Sequence, residues 1–134
     1  FTGTIMDAYL KGRTLIHNQG SLDAILDERK IIANAWEKMV AANIIHYANS
    51  VKSTVSSGSG SMVHAWAEMR AFAMALQYNQ YKLIEDDDLA SVITLMGTAP
   101  PANSTWSDYA TSMETVVSTL QSAYGFADAN IAAW

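Results

Sequence analysis

The stretch from Ser61 to Asn79 constrains the fold more than any other part of the chain. Its apolar side chains recur every three or four residues, a spacing that places them along one side of an α-helix. The stripe consists of Met62, Ala65, Trp66, Met69, Phe72, Ala73 and Leu76. A helix with such a stripe has to bury it against other elements, so the segment predicts a packed helical domain.

The same helical period continues through the other segments, and none of them alternates with the period of two that is typical of strands. Helices are predicted over residues 4–18, 27–54, 89–96 and 106–124, with a restart at 21–23 and a last apolar turn or two at 126–134. The predicted fold is all-α, a single domain (residues 1–134) built as an elongated helical bundle of five or six helices.

The long helix accounts for the elongation. A helix over residues 27–54 is about 40 Å long, whereas a compact domain of this length has a radius of gyration near ~14 Å. It should therefore project beyond the bundle or bend. Its inner stripe is predicted to contain Ile32, Trp36, Met39, Asn43, Ile44, Tyr47 and Val51.

Two polar segments are predicted to be connections rather than sites. Ser56-Ser57-Gly58-Ser59-Gly60 is typical of a flexible surface loop between antiparallel helices. The acidic run Asp86–Asp88 precedes the helix at 89–96, where macrodipole and capping chemistry explain it. A calcium loop would need alternating ligands and a turn glycine, and this run has neither.

Composition excludes several functions. A net charge of −5, with only eight scattered basic residues, argues against nucleic acid binding. The absence of cysteine excludes disulfides and thiolate metal sites. No segment is apolar and long enough to be a transmembrane helix. The chain begins at Phe1 and ends on Trp134, from which we expect a piece of a longer parent protein.

His64 and Glu68 are the first site candidates, because a separation of four residues places them on one helix face. They could be two ligands of a zinc or iron ion, but such a site needs further ligands. The only other histidines are His17 and His46, and neither forms a His-x-x-x-His pair. No motif for a catalytic nucleophile is present, so no catalytic residue is predicted.

The alternative is a structural role for Glu68. Its neighbours on the helix are alanine, methionine and phenylalanine, so its carboxylate is expected to lie partly out of water. We predict that it pairs with His64, with Arg70, or with Arg13, where the small Gly12 permits close approach. The last partner would join two helices.

A resemblance adds to this reading. The run His64-Ala65-Trp66-Ala67-Glu68-Met69, followed by Phe72 and Leu76-Gln77-Tyr78-Asn79, resembles the second His-x-Trp-x-Glu helix of an imelysin-like family of bacterial envelope proteins. The segments Ala41–Tyr47 and Lys11-Gly12-Arg13 resemble flanking parts of the same family. The similarity spans most of the chain and corresponds to a C-terminal part of a longer protein.

The resemblance implies an all-helical, exported protein, periplasmic or surface-anchored and associated with iron or haem acquisition. The imelysin signature is Gly-x-His-x-x-Glu, whereas here Met62 stands two residues before His64 and Glu68 arrives one position late. That departure weighs against peptidase or metal chemistry.

Two functions are therefore predicted as alternatives. The first is a non-enzymatic binding or scaffold domain whose partner is a protein or a small-molecule ligand, with His64, Glu68, Arg13 and Trp66 as candidate structural or binding residues. The second is a metal-dependent, peptidase-like hydrolase fragment that uses His64 and Glu68.

Overall fold

The computed structural model describes residues 1–134 apart from the side chain of Asn103. It confirms the all-α prediction, and no strand occurs among the described residues. Six α-helices and one 3₁₀ turn follow one another along the chain: α1 (Thr2–His17), α2 (Leu22–Ser57), α3 (Val63–Leu76), α4 (Asp86–Met96), the 3₁₀ turn (Asn103–Thr105), α5 (Trp106–Tyr124) and α6 (Asp128–Ala133).

Helix α2 organises the molecule. It contains 36 residues and is therefore about 54 Å long. The restart predicted at Ser21 is its N-cap, where the Ser21 hydroxyl oxygen accepts a 3.3 Å hydrogen bond from the backbone N–H of Ala24. The helical restart predicted at residues 21–23 and the helix predicted over residues 27–54 therefore form one continuous helix.

The loop that the sequence predicts at residues 56–60 begins two residues later, at Gly58. Ser56 and Ser57 belong to α2, because the left-handed conformation that ends the helix is adopted only at Gly58, with φ +68°. Glycine takes this conformation without the steric cost of a Cβ atom. The residues from 56 to 61 are exposed, as expected for a surface connection.

The main core lies around the second half of α2. Helices α3 and α5 pack against it there, and α4 packs on α3 and α5. The fully buried side chains of this core include Ile44, Ile45, Val51, Met69, Val92, Met96, Met113, Val116 and Leu120. The apolar stripe predicted for α3 is confirmed, since its members are buried or half-buried.

Helix α1 packs on the first half of α2 as an antiparallel partner. We call residues 1–38 the arm. The arm contributes Ile5, Ala8 and Ala35 to the buried apolar side chains, but these lie outside the main core, which begins around Val40 and Ala41. Within the arm, α1 covers one side of the first half of α2.

The predicted inner stripe of α2 is wrong by one residue around Trp36. The Trp36 side chain is 49% exposed, whereas Glu37 is only 3% exposed. Two apolar side chains of α1, Tyr9 and Ile16, are likewise 54% and 63% exposed. In each case the helix was predicted correctly, and the tertiary contacts determine which of its apolar flanks is covered.

Candidate functional site

The structure does not bring the predicted site residues together. His64 is exposed, with its ring edge-to-face against Tyr47 at a centroid distance of 6.3 Å. Glu68 is half-buried, and within the described part of the chain no ion pair or hydrogen bond joins it to His64, Arg13 or Arg70. The predicted pairing of Glu68 is therefore wrong.

Arg13 fails as a partner because its helix packs elsewhere. It lies on α1, beside Gly12, and a Cβ atom at Gly12 would stand 3.6 Å from Cβ of Glu28 on α2. The close approach that glycine permits is thus directed at α2. The carboxylate buried at this contact is Glu28, and Lys11 binds it with a nitrogen–oxygen distance of 2.5 Å.

Trp66 and Arg70 are engaged at the C-terminal end of α4. The indole N–H of Trp66 donates a 2.9 Å hydrogen bond to the carbonyl of Met96, and the Tyr109 hydroxyl donates to the same oxygen at 2.8 Å. Arg70 donates to the carbonyls of Gly97 and Ile93. These donors satisfy carbonyls that a helix end leaves free, and the guanidinium charge complements the helix dipole.

The pKa of the Tyr109 hydroxyl is raised in this cluster. Burial raises the pKa of its hydroxyl to about 12, while the hydrogen bond with Trp66 and the charge of Arg70 oppose that rise. A phenol with this pKa remains a neutral donor at physiological pH, as its bond to the Met96 carbonyl requires. The cluster therefore fixes α3, α4 and α5 to one another, and it gives Trp66 a structural role.

Glu37 is the most buried carboxylate among the described residues, and the sequence did not predict it as a candidate. One of its oxygens, Oε1, accepts 2.6 Å and 2.8 Å hydrogen bonds from the Leu83 backbone N–H and the Tyr124 hydroxyl. The other, Oε2, accepts a hydrogen bond from the amide of Asn79. Glu37 thus ties α2 to α5 and to the connection between α3 and α4.

Tyr124 responds to this environment. Burial raises the pKa of its hydroxyl well above the usual range, and the hydrogen bond and the charge of Glu37 raise it further.

The sequence contains a signal for the burial of Glu37, because Glu37 precedes Ala41 by four residues and Ile44 by seven. That spacing places it on the helix face that carries the core.

The histidines are dispersed. Nδ1 of His46 lies 2.9 Å from the carbonyl of Trp134, next to the bond from the Asn49 amide to the Ile131 carbonyl, and both contacts hold α6 against α2. His17 is exposed at the end of α1. In the part of the chain that the structure describes, no group of three or more His, Asp or Glu side chains could hold a metal ion.

The arm carries an apolar groove between its two helices. The groove has a volume of about 350 Å³. On α1 it is lined by Tyr9, Gly12 and Ile16, and on α2 by Ile25, Arg29 and Ile32. Both sets repeat with spacings of three and four residues, the pattern by which helices form a shared seam.

Exposed apolar side chains extend the groove into a broad surface. We call this surface the apolar face; beyond the groove lining it comprises the exposed residues Met6, Leu22 and Trp36, and the helical period places Leu10 and Leu26 at its outer edges. The arm contains nine of the thirteen large apolar side chains that are exposed, so exposure of this kind is concentrated there rather than scattered.

Two basic side chains and one acidic side chain line the groove. Arg13 lies on its α1 side, and the guanidinium carbon of Arg29 lies 4.7 Å from the ring centroid of Tyr81, a cation–π contact within the molecule. The acidic Glu28 side chain lines the floor and is paired with Lys11.

Comparison of the chain with family models, with curated proteins and with solved structures gives no match in any of the three. The imelysin-like resemblance therefore stays a prediction.

Proposed function

We propose that this chain is a non-enzymatic binding or scaffold domain, and that the apolar face of the arm is its binding surface. The observation that carries the proposal is the exposure of large apolar side chains along two packed helices. The largest apolar patch of an ordinary monomer covers about 300–600 Å², and larger patches are associated with interaction surfaces. Leu22 at 68% exposed and Ile16 at 63% exposed mark the two helices of this face.

The polar side chains also support this proposal, because they are engaged in holding the fold together. Glu37, Trp66 and Arg70 use their hydrogen-bonding capacity on backbone and side-chain groups of the fold itself. A catalytic acid, base or nucleophile instead needs to be within reach of a substrate in a cleft. The pattern is typical of a scaffold that holds its helices in register.

The imelysin-like resemblance extends the proposal to the setting of the protein. It is carried by the His64–Met69 run and by the flanking segments at Ala41–Tyr47 and Lys11–Arg13. On that basis the domain belongs to an exported, periplasmic or surface-anchored protein that is associated with iron or haem acquisition. None of the described helices combines the length and the apolarity needed to cross a bilayer.

The binding proposal is tested by capture with a matched pair of variants. The arm variant carries Ile16→Glu and Leu22→Glu, and the control carries Val63→Glu and Tyr78→Glu on exposed positions of α3 and the residues after it. Wild-type protein and the control, immobilised and exposed to bacterial envelope extract, should retain a defined protein that the arm variant loses. If wild-type protein retains no protein at all, including a further copy of the chain, the proposal is contradicted.

The same preparations test the hydrolase alternative. Metal analysis of wild type and His64→Ala should show no stoichiometric zinc or iron in either protein. Stoichiometric metal that is present in wild type and lost in His64→Ala would favour the metal-dependent hydrolase instead.

A further inference from the structure

We infer that the occupant of the apolar face is a second copy of this chain, so that two arms pack face to face as a four-helix bundle. The inference rests on the proposed function, because it names the partner of the same surface.

The area of the face is most of what such a contact needs. Large side chains bury about 150–250 Å² each when fully covered, and the five that project from the groove side of the arm are 49–68% exposed, so together they present roughly 500 Å². These are Met6, Tyr9, Ile16, Leu22 and Trp36. A stable interface buries about 800 Å² on each partner, including its polar rim. The five side chains account for more than half of that area, and the rim has to supply the remainder.

The shape of the arm matches a copy of itself. Each arm is an antiparallel pair of helices with most of its exposed apolar side chains on one flank, and two such pairs related by a twofold axis bury both flanks in a bundle. The three–four spacing of Leu22, Ile25, Arg29, Ile32 and Trp36 is the spacing of side chains that interdigitate in such bundles.

The charge distribution permits two arms to meet. The arm holds five of the 13 acidic residues and five of the eight basic ones, so it is formally neutral. Residues 39–134 therefore carry the whole net charge of −5. Two copies that approached through this acidic body would repel one another, whereas two neutral arms do not.

The arginines of the face are compatible with a symmetric contact. The stacking of Arg29 on Tyr81 holds its guanidinium against its own molecule. Arg13 is exposed at the rim, where its long aliphatic stem can cover apolar surface while the charged group stays in water.

Sedimentation velocity tests the inference on the intact chain. Between roughly 5 and 200 µM, wild-type protein should shift from the monomer mass of 14.6 kDa to twice that mass. The Ile16→Glu/Leu22→Glu variant should stay monomeric at every concentration. The Val63→Glu/Tyr78→Glu control carries the same added charge and should dimerise as wild type does. Urea unfolding of all three proteins at low concentration should show that each is folded.

Each contrary result has a definite meaning. A wild-type protein that stays monomeric throughout overturns the inference, as does an arm variant that still dimerises or a control that does not. If the wild type is monomeric yet captures an unlike protein through the arm, the second-copy inference falls and the proposed binding function stands. If the wild type neither dimerises nor captures anything, both fall.

Discussion

Tyr124 and Glu37, separated by 87 residues of sequence, are joined by a 2.8 Å hydrogen bond in the interior of the bundle. The phenol donates to a carboxylate that has no cationic partner among the described side chains and is stabilised instead by three hydrogen-bond donors. Since a buried carboxylate needs such donors to remain charged, the three contacts form one unit with Glu37 at its centre. They connect the two longest helices to the segment between α3 and α4.

Removal of the Glu37 carboxylate should therefore destabilise the fold. In Glu37→Ala the Tyr124 hydroxyl and the Leu83 N–H lose their acceptor in a dry site, and the expected loss is roughly 3–4 kcal/mol of unfolding free energy. Glu37→Gln keeps one acceptor oxygen and should cost about 1–2 kcal/mol. Urea denaturation measures both. Equal stability of Glu37→Ala and wild type would show that the network contributes nothing.

Glu68→Ala is the matched comparison. Glu68 is half-buried on α3 and makes no ion pair or hydrogen bond within the described residues, so its removal leaves no partner stranded. The unfolding free energy should change by less than about 1 kcal/mol. A loss as large as that of Glu37→Ala would mean that Glu68 has a partner in solution after all.

Stability should fall on the alkaline side. The pKa of Tyr109 is raised to about 12 and that of Tyr124 is raised further, whereas an unfolded tyrosine titrates near pH 10. Above pH 10 the unfolded chain releases protons that the folded chain retains, so the stability that these groups contribute is present below pH 10 and is lost as the pH rises. Each group adds a slope of up to about 1.4 kcal/mol per pH unit.

Urea midpoints measured between pH 8 and pH 12 check this dependence. Tyr124→Phe should remove part of the alkaline slope, and the exposed Tyr78→Phe should leave it unchanged. An identical slope in Tyr124→Phe and wild type would contradict the assignment.

The end of α4 offers an independent prediction. Trp66→Phe keeps the packing of the ring but removes the N–H that binds the Met96 carbonyl, which still accepts from Tyr109. The expected cost is about 1 kcal/mol. Arg70→Met removes both the donors to α4 and the charge at the helix end, and should cost about 1–2 kcal/mol. Thermal unfolding compares the two variants, and an Arg70→Met protein as stable as wild type would rule out this role.

The sequence predicted the helices well because their signals are local. The stripe of α3 and the restart at Ser21 each depend on residues only a few positions apart. The buried side of α2 was predicted incorrectly at Trp36 and Glu37. Helix α2 packs against α1, α3 and α5, so it has more than one apolar flank. Only the tertiary contacts decide which flank is covered.

The polar contacts were less predictable for the same reason. Glu68 has the more apolar neighbours on its own helix, yet Glu37 is the carboxylate that the fold buries. The donors of Glu37 lie more than 40 residues away along the chain, on the segment after α3 and on α5. Sequence spacing within one helix indicates which side chains share a face, but it does not indicate which distant donors that face meets.

The accessibility of Ile16 tests the central claim most directly. The chain has no cysteine, so Ile16→Cys and Val63→Cys each introduce a single thiol at positions that are 63% and 58% exposed in the monomer. If a second copy covers the apolar face, the reaction of the Ile16→Cys thiol with a disulfide reagent slows as protein concentration rises. The Val63→Cys thiol, at the start of α3 and outside the apolar face, keeps a constant rate. Equal and concentration-independent rates at the two positions would contradict the account.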